Sequence, residues 1–155
     1  MIRQGAQIVS DPRAEWAEAL HEAALGGVRM KPISDDPILA EGVRRTNLAN
    51  TMRWAHHNID HPGERVPALL TAEIMGATRE LVRRGLDESS LDSFRSAQGV
   101  AWRMWMAICF QLTSDIDELQ ELLDVTSRSI AAFIEDSVAA MSEQMRAERA
   151  ELSRD

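Results

Sequence analysis

Cysteine and long apolar runs are almost absent from this chain. Cys109 is the one cysteine among 155 residues, so no internal disulfide can form, and its apolar neighbours Ile108 and Phe110 favour a buried, unreactive thiol. No apolar stretch approaches the roughly 18 residues of a membrane-spanning helix, and residues 1–5 lack the apolar core of a signal peptide. These absences predict a soluble, cytoplasmic protein that does not contact a membrane.

Concentrated positive charge is missing as well. The chain carries 17 Lys and Arg against 25 Asp and Glu, which gives a net charge of −8, and the basic residues never cluster beyond doublets. Phosphate binding requires a concentrated basic face. The sequence therefore predicts no direct binding to nucleic acid.

Catalytic motifs are also lacking. There is no phosphate-binding glycine-rich loop, no Gly-x-Ser-x-Gly turn, no zinc-spaced cysteine pair and no His-Glu-x-x-His. Glu18 and His21 form one Glu-x-x-His step, but a di-iron site needs a second, so a solvated helix face is favoured. His57 and His61 have metal-binding spacing without a third ligand. We therefore predict no enzyme activity, no metal site and no cofactor.

Strand-like alternation is not found, whereas helical spacing of apolar residues runs through the whole chain. The sequence predicts an all-α protein, a bundle of about five helices with a long C-terminal helix. Both an up-and-down bundle and a globin-like arrangement fit this pattern. The expected helices cover 12–25, 37–61 after an Asp36 cap, 72–85 after Thr71, 90–112 after Ser89, and 115–155 after Ser114.

The last of these helices contains no glycine or proline to stop it. About 40 helical residues would extend about 60 Å, which is more than a small domain can cover. We accordingly divide the chain into an N-terminal helix and loop at 1–35, a bundle core at 36–138, and the end of a linker or coiled-coil helix at 139–155. The linker is expected to lead to an output domain outside this sequence.

The apolar residues of this helix thin to a stripe beyond residue 130. If the distal stripe is uncovered, pairing with a second copy would bury it, and two-fold pairing is the commonest arrangement of soluble homo-oligomers. The sequence therefore predicts a homodimer with this interface: Ile130, Ile134, Val138, Met141, Met145 and Leu152.

Four residues are candidates for a ligand pocket. His56 falls on an apolar stripe between Met52 and Ile59, and Gln98, Trp102 and Trp105 follow one another along the fourth helix. A histidine facing inward can ligate haem, and two indoles with an amide can line a small-molecule pocket. Core packing with the indole N–H groups satisfied locally is the alternative, and it is favoured.

Several short segments resemble one protein family. These segments are LVRRGLD at 81–87, LDSFR at 91–95, Gln98, WRMW at 102–105, ELLDV at 121–125, SRSI at 127–130, EQ at 143–144 and RAEL at 149–152. Through them the chain resembles the N-terminal helical region of PucR/CdaR-type transcriptional regulators of actinobacteria over about residues 45–155. It is more distantly similar to the non-haem, globin-like N-terminal domains of RsbR-type proteins.

This resemblance implies a non-enzymatic regulatory domain that receives a signal and dimerises, while other domains of the regulator bind DNA. A sensor of a small-molecule effector or haem, with a pocket near His56, Gln98 and Trp102, is the alternative function.

Overall fold

A computed structural model describes residues 1–11, 15–27 and 30–154. Within these residues the chain forms seven α-helices and no β-strand, which confirms the all-α prediction. None of the helices in this part of the chain has both the length and the apolar character needed to cross a bilayer. The helices are α1 (Ile2–Val9), α2 (Trp16–Leu25), α3 (Lys31–Ser34), α4 (Pro37–Asp60), α5 (Ala72–Arg83), α6 (Asp92–Leu112) and α7 (Ile116–Ser153), with the 3₁₀ turn at Glu88–Leu91 before α6.

The five predicted helices correspond to α2, α4, α5, α6 and α7, although the expected start of the first helix at 12–14 lies outside the described residues. Helices α1 and α3 were not predicted. Helix α1 has no side-chain cap and contains Gly5, but it packs against α4 and α6 and buries Gly5 and Ala6. Its stability therefore comes from tertiary contacts, which a local sequence pattern does not reveal.

Side-chain caps begin several helices, as the sequence suggests. Asp36 accepts hydrogen bonds from the backbone N–H groups of Ile38 and Leu39 at 3.0 and 3.3 Å, which confirms the predicted start of α4. Thr71 likewise accepts from the Ile74 N–H at 3.2 Å, at the start of α5.

Two predicted caps are wrong. Asp115, not Ser114, caps α7 by accepting from the Glu118 N–H at 3.1 Å. Ser89 is not the cap of α6 because it lies within the 3₁₀ turn, where Asp87 accepts from its N–H at 3.0 Å. Asp115 therefore takes the capping position of α7, and Asp87 caps the 3₁₀ turn, whereas α6 follows Leu91 without a side-chain cap.

The prediction that the distal half of α7 lies uncovered is also wrong. Val138, Met141 and Met145 are 5%, 2% and 0% exposed, and they belong to the same core as residues of α2, α4, α5 and α6. Their burial inside one chain removes the basis for a dimer interface along this stripe. Leu152, at 49% exposed, is the member that does face solvent.

Polar contacts hold the distal part of α7 against α5 and the 3₁₀ turn. The Gln144 amide Nε2 donates to the Met75 carbonyl at 3.0 Å, and Arg79 pairs with Glu148 at 3.2 Å. Arg149 pairs with Glu88 in the 3₁₀ turn. Contacts therefore connect residues 139–155 to the predicted bundle core at 36–138, and α7 packs against α5 and α6.

Candidate ligand-binding cavity

A cavity of about 420 Å³ lies between α1, α2, α4, α6 and α7. This volume falls within the range of about 300–1,000 Å³ typical of small-molecule sites. Helix α4 contributes Asn47, Asn50, Thr51 and Trp54, α7 contributes Ile130, Phe133, Ile134 and Ser137, α6 supplies most of the remaining wall, and α1 contributes Ile8 and Val9.

Two tryptophans form an aromatic part of the wall. The rings of Trp54 and Trp105 meet edge to face, with centroids 5.0 Å apart and planes at 84°. The Trp105 Nε1 donates to Thr126 Oγ1 at 2.8 Å, and the Trp54 Nε1 donates to Ser129 Oγ at 3.1 Å. Both indole N–H groups are therefore used to hold α4 and α6 against α7, and the cavity receives the apolar ring surfaces.

Two polar atoms in the wall have no hydrogen-bond partner within the described residues. These are Asn47 Nδ2 and Ser137 Oγ, and each residue is 7% exposed. Buried polar atoms are paired in the great majority of cases, because an unpaired one costs free energy relative to water. Two residues of the wall thus each carry a buried polar atom whose hydrogen-bonding capacity is unused within the described residues.

The described part of the wall contains no ionisable side chain. Its polar members are amides and hydroxyls only: Asn47, Asn50, Thr51, Gln98, Gln111 and Ser137. General acid–base catalysis and metal binding need carboxylates, imidazoles, thiols or amines. The arrangement therefore suits the binding of a neutral molecule.

Exposure along the wall indicates where the cavity opens. Ile8 is 44% exposed, and Ala107 and Gln111 are exposed too, whereas Phe133 and Trp105 are buried. The end of α1 therefore lies at the mouth, beside the second half of α6. Helix α1 also packs closely on the aromatic wall, since a Cβ added to Gly5 would lie 2.6 Å from the Trp105 ring.

The structure brings together two of the four predicted pocket residues. Gln98 and Trp105 line the cavity, whereas Trp102 is half-buried on α6 outside the lining. His56 is exposed, so the prediction that it faces inward is wrong. The buried face of α4 contains Trp54, and a residue two positions further along a helix points roughly to the opposite side. No histidine lies in the described wall to ligate haem.

The most informative cavity residues, Asn47 and Ser137, were not predicted. Each is a polar residue between apolar buried residues of its helix, with Asn47 between Val43 and Trp54 and Ser137 between Phe133 and Met141. A polar residue at such a position was the available signal. Two residues of the predicted dimer interface, Ile130 and Ile134, also line the cavity.

The other candidate residues do not form a site. The rings of His57 and His61 lie 5.2 Å apart, but no group of three potential metal ligands comes together among the described residues.

Cys109 is fully buried, as predicted, and desolvation raises the pKa of its thiol to about 11. His21 is buried with Nδ1 unpaired, and its pKa is lowered, first by desolvation and then by Arg44.

A second depression, of about 470 Å³, lies between α4 and α5. Arg45 at its edge pairs with Glu41 at 3.0 Å and with Glu73 at 3.9 Å. None of the unpaired buried polar atoms found in the described residues lies in its lining. The cavity beside Trp105, whose lining residues carry two such atoms, is therefore the stronger candidate.

Comparisons with protein-family models, curated proteins and solved structures found no match to this chain. The cavity is therefore interpreted from its own residues.

Proposed function

We propose that this protein is a non-enzymatic regulatory domain that binds a small neutral molecule inside its helical bundle. The observation that carries the proposal is the apolar cavity, whose described wall has no ionisable group but has two unpaired hydrogen-bonding atoms, Asn47 Nδ2 and Ser137 Oγ. A pocket that is mostly apolar, with a few polar groups to orient the ligand, is the usual form of a small-molecule site.

Helix α7 supplies the means of passing on the signal. Ser137 lines the cavity, and Met141 and Met145, one and two turns further on, lie in the core. A ligand that contacts Ser137 and Phe133 would stabilise this part of α7 more than the empty cavity does. Because the same helix continues to Ser153, occupancy would change the stability of its distal part.

The resemblance to PucR/CdaR-type regulators implies that such a domain takes part in transcriptional control in the cytoplasm. In this proposal other domains of the regulator contact DNA, because this chain has a net charge of −8. Homodimerisation through the α7 stripe is not part of the proposal, since Met141 and Met145 are buried within one chain.

Binding can be tested with N-phenyl-1-naphthylamine, a neutral apolar dye that fluoresces in apolar surroundings. We expect the purified chain to bind the dye saturably with one site per chain. The variant Ala101→Phe should weaken binding at least tenfold because its ring would fill the cavity, whereas Ala150→Phe, at an exposed position on α7, should not. Circular dichroism would verify that both variants remain helical.

Unsaturable dye binding, or equal binding by the helical Ala101→Phe variant, would contradict the proposed site. The regulatory part has its own test in hydrogen exchange with and without saturating dye. We expect slower amide exchange over residues 130–153 in the bound state. If the dye binds but amide exchange over residues 130–153 does not change, the protein binds a ligand without coupling it to α7, and the regulatory part of the proposal fails.

A further inference from the structure

We infer that the cavity recognises an uncharged, mostly apolar molecule through a carbonyl oxygen that accepts a hydrogen bond from Asn47 Nδ2, with Ser137 Oγ as a second polar contact. Ketones, esters, lactones and amides are the chemical classes that meet this description. The inference rests on the proposed function and specifies the ligand that the same cavity would take.

The Asn47 amide determines the kind of group that is needed. Its unpaired Nδ2 is a donor, so the missing partner is an acceptor. Asn47 lies on α4 one turn before Thr51, whose hydroxyl already donates to the Asn47 backbone carbonyl at 2.8 Å. The Thr51 hydroxyl hydrogen is therefore committed within the helix. The Nδ2 hydrogen atoms have no partner in the described residues, and a ligand would bond to them once the Asn47 amide turns towards the cavity.

Ser137 differs from the other buried hydroxyl residues of the helices. The threonine hydroxyls at 46, 78 and 126 each donate to the carbonyl four residues earlier, at 2.8, 2.8 and 2.6 Å. Ser137 is buried to the same degree as Asn47, yet its Oγ makes no such bond. Its hydroxyl thus has unused donor and acceptor capacity, and rotation about the Cα–Cβ bond would turn it towards a molecule in the cavity.

The wall also indicates what the ligand lacks. A carboxylate or an ammonium group would be removed from water without an opposite charge beside it, because the described wall has no ionisable residue. The rings of Trp54 and Trp105, together with Phe133, provide surfaces for an apolar body. A neutral carbonyl compound satisfies both conditions.

Three naphthalene compounds separate these features. The ketone 6-propionyl-2-(dimethylamino)naphthalene has a carbonyl acceptor and an emission wavelength that responds to hydrogen bonding. N-phenyl-1-naphthylamine has no carbonyl group, and 2-naphthoate carries a negative charge. We expect the full chain to bind both neutral compounds, with the ketone emission shifted as for a hydrogen-bonded carbonyl, and to bind 2-naphthoate at least tenfold more weakly than the ketone.

Two substitutions test the assigned contacts. Asn47→Leu and Ser137→Ala should each weaken ketone binding about fivefold, the loss expected for one neutral hydrogen bond. Asn47→Leu should change binding of N-phenyl-1-naphthylamine less than twofold, because this dye has no carbonyl oxygen to accept from Nδ2. Ser137→Ala removes a single oxygen atom, so it is the variant least able to disturb packing. If Asn47→Leu does not fold, as judged by circular dichroism, Asn47→Ala takes its place.

The possible failures are distinguishable. If 2-naphthoate binds as tightly as the ketone, or if neither substitution affects the ketone while both neutral dyes still bind, the carbonyl assignment is overturned and the binding cavity stands. If neither neutral compound binds saturably, the proposed function fails, and this inference fails with it.

Discussion

The distal half of α7 offers the sharpest test of this structure, through Met145. The side chain is 0% exposed and lies in the core that also contains Met141 and Val138. Replacing a buried methionine with alanine removes three heavy atoms from a packed interior and costs about 2–5 kcal/mol. A domain of this kind has a total free energy of unfolding of about 5–15 kcal/mol, so Met145→Ala should remove a large part of it.

Leu152 provides the matched control, seven residues further along the same helix. It is 49% exposed, and Leu152→Ala should change the free energy of unfolding by about 0.5 kcal/mol or less. Urea unfolding followed by circular dichroism would measure both variants, at two protein concentrations tenfold apart. If Met145 lies in the core of one chain, the stability lost in Met145→Ala does not depend on protein concentration. If Met145 lay in an interface between two chains, the urea midpoint would rise with protein concentration.

The reasoning would be refuted if the two alanine variants lost equal stability. It would equally be refuted if the Met145→Ala effect appeared only at the higher concentration, because burial would then come from a second copy rather than from α5 and α6.

Gly5→Ala should lower the free energy of unfolding by about 1–3 kcal/mol, because the added Cβ would lie 2.6 Å from the Trp105 ring. Gly99→Ala should raise the free energy of unfolding by about 1 kcal/mol through helix propensity, because its Cβ meets no atom within 4 Å. Urea unfolding measures both, and equal effects would show that α1 does not pack on the aromatic wall. For His21, burial and then Arg44 lower the folded-state pKa below the ordinary value of about 6.5. The contribution of neutral His21 to the free energy of unfolding is therefore fully present above pH 6.5 and is lost as the pH falls towards the folded-state pKa. His21→Gln should therefore reduce the loss of stability between pH 7.5 and 5.5, and an unchanged pH profile would contradict this assignment.

Much of the fold could be predicted because the information is local. Asp36 and Thr71 begin helices through bonds to backbone groups two or three residues away, and helical spacing of apolar residues predicted the main helices. Helix α1 could not be predicted in this way, since Gly5 weakens it locally and contacts with α4 and α6 stabilise it.

The candidate site was predicted in part. Gln98 and Trp105 lie on the inward face of α6, where the spacing is regular, and both line the cavity. His56 was placed inward because the stripe Met52, His56 and Ile59 fits helical spacing, yet the face of α4 that packs contains Asn47 and Trp54. When two stripes on one helix are both plausible, the position of neighbouring helices decides which is buried.

The sequence alone predicted a helix over residues 115–155, which the structure has at Ile116–Ser153, and indicated that one side of that helix must be buried. Hydrophobic burial is non-directional, so a stripe of Val138, Met141 and Met145 has the same pattern whether another helix of the chain or a second copy covers it. Only the tertiary structure decided that α5 and α6 cover it. The cavity, likewise, is the space left between five helices, and its unpaired atoms on Asn47 and Ser137 depend on how those helices are placed.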